Sequence, residues 1–362
     1  MSYAKKESKA VSAIKKAIPS SLKSGMLKES RGLSAELYEC KAVPDHYLAC
    51  AIDSQGTKAI IAEAMDKFDT IGIDAVAMSA NDLATFGNVS PFLFMDCISC
   101  QSRIQEEKIT GQLMKGIVEG LKESDASGIL RNSIRVNIGK GETASVHELL
   151  SSPRDGYGFD IVGAMIGFLP KKRLYSKISI GDRIIALASS GPHSNGYTDL
   201  RHHLLNGDFE TRKQYKKQYN GKYSLNSKFD NSTIGKRLLE PTRIYVKEMA
   251  RVSKDYNVVG INNTGYGLKN FNRLQGNFEF RITNPLKPQP IFQLMQKESK
   301  FSDKKMYESF NMGMGFFIIA KKKNAEKVAA LSKGKIVGEV RKSSRARTVL
   351  TLKNNNIVFE GY

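Results

Sequence analysis

Four acidic residues stand just after short apolar runs in this 362-residue chain: Asp53, Asp82, Asp96 and Glu142. If the runs are strands of one sheet, their carboxylates could converge on one rim and hold a hard cation such as Mg2+, which prefers oxygen ligands. Asp53-Ser-Gln-Gly-Thr-Lys58 adds a glycine turn and a lysine to its acid, so Gly56, Thr57 and Lys58 are placed to meet phosphate. The spacing differs from that of a P-loop. Asn81 precedes Asp82, and Gly139-Lys-Gly-Glu-Thr143 brings Gly141 and Thr143 beside Glu142. Taken singly, each acid is equally well read as a helix cap or turn residue. Their common placement is what favours a site.

A second constellation is Ser189-Ser-Gly-Pro-His-Ser-Asn-Gly-Tyr197, between the apolar run 184–188 and a helical pattern at 199–205. A strand, a glycine loop and a helix start offer unpaired N–H groups to an anion. His193 can exchange a proton near neutral pH, and in a loop of small polar residues it is expected to be more exposed than most histidines. Cys97 and Cys100 have the spacing of a metal or redox pair, but Cys40 and Cys50 supply no second close pair. Buried thiols are the expectation.

The elements that would position these residues read as strands at 48–52, 75–78, 92–95, 134–138 and 160–168. Ile109, Leu113, Ile117 and Leu121 repeat at i+4 and mark an amphipathic helix. Pro170-Lys-Lys-Arg173 breaks the pattern, and a second series runs from a strand at 184–188 to one at 314–320 and a β-rich tail. The expected organisation is a basic arm at 1–45, one α/β domain at 46–170 and another at 171–362, an α/β (α+β) architecture. Val11, Ile14, Ala17 and Ile18 could line a short helix in the arm, ending near Pro19. No apolar run approaches the ~20 residues of a membrane span, and no secretory signal is visible, so a cytoplasmic address is expected. The formal charge of +20 suits steering of phosphorylated small molecules. The Lys/Tyr-rich stretch at 212–223 reads as a solvated face in preference to an RNA contact.

At these segments the chain resembles the AIR synthetase (phosphoribosylformylglycinamidine cyclo-ligase) family, whose superfamily includes FGAM synthetase, selenide water dikinase and thiamine-phosphate kinase. The resemblance covers about residues 48–320. It rests on Asp53-Ser-Gln-Gly-Thr-Lys58, Gly72-Ile-Asp-Ala-Val-Ala-Met with Asn81-Asp82, and Pro91-Phe-Leu-Phe-Met-Asp96. Further blocks are Gly141-Glu-Thr143, the loop from Ser189 to Tyr197, Leu238-Leu-Glu-Pro-Thr-Arg-Ile-Tyr-Val-Lys247 and Met306-Tyr-Glu-Ser-Phe-Asn-Met-Gly313. The chain departs from the family wording at Ser54, Gln55, Lys140, Ser145, Tyr266 and Glu308.

The resemblance implies ATP-dependent closure of formylglycinamidine ribonucleotide (FGAM) to aminoimidazole ribonucleotide (AIR), with Mg2+ and a homodimer. It implies Asp53, Asp82, Asp96 and Glu142 as Mg2+ and phosphate organisers. Lys58, Gly56, Thr57, Asn81, Gly141, Thr143, Ser194 and Gly265 would lie against ATP or its phosphates, and His193 and Asn195 against the reacting amide. The rival readings are a superfamily member with another amide or acid substrate, and a basic RNA-associated protein on the same fold.

Overall fold

The computed structural model describes residues 13–14, 16–30, 33–101, 106–130, 133–174 and 177–361. The first half builds one sheet from β1 (Glu36–Glu39), β2 (His46–Ser54), β3 (Ser90–Cys100), β4 (Asn137–Ile138), β5 (Glu142–Ser145) and β6 (Phe159–Pro170). Their order is β1-β2-β6-β3-β4, with β5 also pairing β3. Side chains alternate across a strand. In β6, Phe159, Ile161, Met165 and Leu169 are buried while their neighbours are half-exposed, so one face carries the core.

That face is covered by α1 (Lys58–Ala64), α2 (Asp69–Ala84) and α3 (Glu106–Ser124). Ile109, Leu113, Ile117 and Leu121 of α3 are buried, as their spacing requires. Two glycines let α2 and α3 touch backbone to backbone: a Cβ on Gly72 would lie 2.0 Å from the Leu113 carbonyl oxygen, and one on Gly116 1.8 Å from that of Asp69.

The run at 75–78, expected as a strand, lies inside α2. Nearly every residue from Thr70 to Ala84 is buried, because the sheet, α3 and the second half surround this helix. A helix with no solvent face shows no polar stripe, and a short apolar run cannot then be told from a strand. The expected strand at 134–138 shrinks to Asn137–Ile138.

The second half contains β7 (Arg183–Ala188), α4 (Tyr197–Leu204), α5 (Lys213–Lys216), β8 (Lys228–Phe229), β9 (Ser232–Thr233), α6 (Ile234–Leu238), α7 (Val246–Ser253) and β10 (Val259–Asn262). Then come β11 (Phe278–Ile282), α8 (Pro290–Ser299), α9 (Asp303–Ser309), β12 (Met314–Ala320), α10 (Ala325–Ser332), β13 (Lys335–Lys342), β14 (Arg347–Leu352) and β15 (Asn355–Glu360). A seven-stranded sheet has the order β10-β12-β7-β13-β11-β14-β15. β12 is buried along its whole length, as an apolar strand covered on both faces should be.

The first sheet begins at β1, ahead of the boundary expected at residue 46. The segment before it crosses to the second half: Gln275 Nε2 donates to the Lys28 carbonyl at 2.7 Å, and Arg273 to Ser34 Oγ at 2.7 Å. The helix expected over 11–18 lies in part outside the described residues. All four cysteines are free thiols, but only Cys100 is buried and Cys97 is exposed. Three residues apart on β3, those two point to opposite faces and cannot share an ion. Among the described residues, no helix is long and apolar enough to cross a membrane.

Candidate active site at the domain seam

β2 and β3 both run antiparallel to β6, so their C-terminal ends share one rim. Asp53 and Asp96 each stand opposite Gly163, placing them in one row, roughly 10 Å apart at the backbone, on the helix-covered face. Gly163 is needed there, since a Cβ would come 2.7 Å from the Ala75 carbonyl oxygen. Asp96 is 9% exposed, and among the described residues its Oδ2 has no hydrogen-bond partner. Burial raises its pKa. A Cβ on Gly141 would lie 2.9 Å from Asp96 Oδ1, so this glycine lets the backbone pass the carboxylate.

The other two acids sit differently from the expectation. Asp82 belongs to α2 and accepts a 2.8 Å bond from Asn262 Nδ2 of β10. Burial pushes its pKa up to about 7; Asn262 and Arg273 oppose that rise, and the nearby charge of Asp53 adds to it. Glu142 is exposed on β5 opposite Cys97, on the outer face of the sheet, away from Asp96. Among the described residues, no three His, Cys, Asp or Glu side chains form a group able to hold a metal ion. The expected four-acid cluster is therefore absent within one chain, because one acid is helical and another faces outward.

Lys58 and Asn81 are also placed otherwise than expected. Lys58 is completely buried, 2.7 Å from Asp74 Oδ2, and donates to the Glu240 carbonyl at 2.8 Å. An isolated buried charge is costly, so the pair and its backbone partners belong together. Asp74 Oδ1 accepts the Thr242 N–H at 2.7 Å. Asn81 donates to the Arg243 carbonyl at 2.9 Å and accepts the Tyr245 N–H at 2.8 Å. Lys58, Asp74 and Asn81 thus clamp the backbone of residues 240–245 instead of facing a phosphate. Asp74 escaped the sequence reading, although a lone acid in the apolar run 71–80 signals a buried cationic partner.

The loop at 189–196 is held from beneath. Ser189 Oγ lies 2.9 Å from Asn311 Oδ1, Gln289 Nε2 donates to the Ser189 carbonyl at 2.6 Å, and Asn311 Nδ2 to that of Gly191 at 2.8 Å. His193, at φ +61°, is 2% exposed, contrary to expectation. Its Nε2 accepts the Ser190 N–H at 3.4 Å. Burial, then the charges of Lys58 and Arg243, lower its pKa to about 3, so the imidazole is neutral at physiological pH. With Nε2 accepting, Nδ1 carries the proton.

Small polar groups meet at the seam in front of this loop. Ser194 Oγ is 3.2 Å from Thr242 Oγ1, Thr57 Oγ1 is 3.3 Å from Thr198 Oγ1, and Asn195 Oδ1 is 3.6 Å from where a Cβ on Gly265 would stand. Gly56 sits at φ +59° and Tyr266 at φ +72°, the latter a left-handed conformation that disfavours a bulky residue. Glu308 is paired with Lys269 at 3.2 Å. A separate cavity of about 230 Å³, lined by Val43, His46, Ser90, Leu130, Ile134 and Phe168, lies at the other end of β2.

Residues 35–169 match the family described as AIR synthase related protein, N-terminal domain, and residues 179–351 its C-terminal domain. The chain belongs to the AIR synthase related family. A protein of Methanococcoides burtonii named phosphoribosylformylglycinamidine cyclo-ligase is 36% identical over 299 residues, 82% of this chain and 80% of the relative. One of the same name from Methanococcus maripaludis is 32% identical over 326 residues, 86% and 84% of the two chains. Among solved structures, hydrogenase maturation protein HypE in complex with ATP superposes with a TM-score of 0.59 at 15% identity, covering 86% of this chain and 84% of that one. AaThiL complexed with AMPPCP and TMP gives 0.58 at 13% identity, over 96% and 93%. At such identities these two structures share the family's fold.

Proposed function

We propose that this chain is an ATP-dependent cyclo-ligase that converts FGAM to AIR with release of ADP and phosphate. The observation that carries this reading is the 36% identity, across four-fifths of both chains, to a relative named for that reaction. A formamide oxygen is a poor leaving group. Phosphorylation makes it an imidoyl phosphate, which the neighbouring amidine nitrogen displaces to close the ring as phosphate departs. The protein's share in such chemistry is alignment and charge compensation.

Mg2+ fits the row of Asp53 and Asp96, because that ion is commonly held by one or two carboxylates together with phosphate oxygens. When bound it would neutralise the triphosphate, and its charge would favour the ionised form of the nearby Asp82. Gly141 and Thr143 lie at the same rim as Asp96, Gly56 and Thr57 follow Asp53 on that side of the seam, and Ser194 and Gly265 supply hydroxyl and N–H groups from the second half. Asn195, half-buried on the same loop, is assigned to the reacting amide. His193 acts as a neutral imidazole that fixes the loop through Ser190.

The proposal includes a homodimer in the cytoplasm. Its support is the outer face of the first sheet, where Ile52 is 70% exposed in a row with the half-exposed Ala164 and Met95, beside exposed Cys97. Glu142 lies on that face and would serve a cation only in the company of a second chain. The substrate assignment is tested by ADP release with Mg-ATP and FGAM, selenide or thiamine phosphate in parallel. Turnover with FGAM alone is expected, and turnover with either of the others in its place would move the chain to another branch of the superfamily.

A further inference from the structure

Gln55 lies in the turn between β2 and α1, two residues after Asp53, and is 1% exposed. Its backbone N–H reaches the Ile161 carbonyl at 3.4 Å, and its Oε1 is 3.5 Å from Ser194 Oγ, the outer limit of a hydrogen bond. Its Nε2, which carries two N–H donors, is buried and has no acceptor among the described residues. Rotating the amide by a half-turn does not remove the deficit: Nε2 would then meet Ser194 at the same long distance, and Oε1 would lack a donor.

A buried donor without a partner is destabilising, and an apolar residue of the same shape would not carry that cost. The adjoining turn is open at Gly56. A Cβ added at neighbouring Gly56 meets nothing within 4 Å, and one at Gly265 meets only Asn195 Oδ1. The side chain contacting the Gln55 amide at this corner is Ser194, half-buried on the loop that also bears His193 and Asn195.

We propose that Gln55 is a ligand-binding residue whose amide donates to an oxygen of the bound substrate, either a phosphoryl oxygen of ATP or the carbonyl oxygen of the amide undergoing activation. The choice of amide substrate rests on the cyclo-ligase reading; the donor role does not. The ligand oxygen takes the Nε2 donors while Ser194 keeps Oε1, and the deficit of the ligand-free protein is satisfied in the complex.

This arrangement has a signature that a merely structural glutamine lacks. Gln55→Met, which keeps the length and removes both donors, should raise the melting temperature of the ligand-free protein by roughly 2–4 °C. It should also weaken binding of one probe by about tenfold or more. Gln55→Glu, with acceptors only, should weaken the same probe further. Calorimetric titration of the full chain with Mg-AMP-PNP and, separately, with FGAM distinguishes the two oxygen sources by which affinity falls. If the parent protein binds the nucleotide but not FGAM, the cyclo-ligase reading fails while the nucleotide arm still tests Gln55. A lower melting temperature in Gln55→Met with both affinities unchanged would overturn the proposal. So would a parent protein that binds neither probe.

Discussion

Lys58 and Arg243 face a histidine that is almost wholly enclosed, and their charges together with burial keep its proton affinity low. Below pH 6.5 the unfolded chain takes up a proton that folded His193 resists, so this group's contribution to stability is lost as pH falls from 6.5 towards 3. Between pH 6.5 and 8.5 the imidazole does not titrate. His193→Ala is expected to slow single-turnover ring closure roughly 100-fold with little change in ATP affinity, while His193→Gln, which keeps an acceptor for Ser190, retains more. The pH–rate profile of His193→Gln should keep the parent's shape; loss of a limb near neutrality would show that the imidazole does titrate.

Glu63 behaves oppositely. It is buried on α1, accepts hydrogen bonds from Ser152 and the Phe159 N–H, and faces Arg154, itself paired with Asp66; burial still pushes its pKa up to about 7. The folded chain therefore holds a proton that the unfolded chain releases, and stability falls as pH rises from about 4.5 to about 7. Glu63→Gln should flatten that dependence and add roughly 1–2 kcal/mol at pH 8, read by thermal melts across pH. The loop carrying His193 and the turn that follows Asp53 were legible in the sequence, because glycine and small polar residues directly after an apolar run mark a backbone turn at a strand end. Lys58 and Asn81 were legible as special but not in their roles, since one lysine can neutralise a phosphate or a buried aspartate, and only packing decides.

Among the elements, α2 carries the greatest structural demand. Its Asp74 and Asn81 read the backbone of 240–245, its Asp82 holds β10, and Gly72 meets α3. Asn81→Ala leaves the Arg243 carbonyl and Tyr245 N–H without their buried partner. A loss of about 2–3 kcal/mol is expected, with calorimetric unfolding spread over a wider range than in the parent as the halves uncouple. An unchanged transition would mean that the clamp contributes little. The strands at 48–52, 92–95, 160–168, 184–188 and 314–320 were legible because each is an apolar run of strand length bounded by polar or glycine-containing turns, and α3 because its outer side is wet. α2 was misread for the reverse reason: enclosed on every side, it lacks the polar stripe that marks a helix.

At the level of the whole molecule, the outer face of the first sheet and the seam make separate demands. Ile52→Arg places a charge in the middle of the face proposed to pair two chains. It should turn a dimer into a monomer near the 40.2 kDa chain mass by light scattering while circular dichroism stays unchanged. A parent protein that is already monomeric and active would exclude the dimer. The reaction proposed for the seam sends the γ-phosphoryl group of ATP to the formamide oxygen. The most direct measurement uses FGAM carrying oxygen-18 at that oxygen, turned over with Mg-ATP and analysed by mass spectrometry of the released phosphate. One labelled oxygen in the phosphate for each AIR formed is the predicted result; label appearing in water, or ADP formed without AIR, would contradict it.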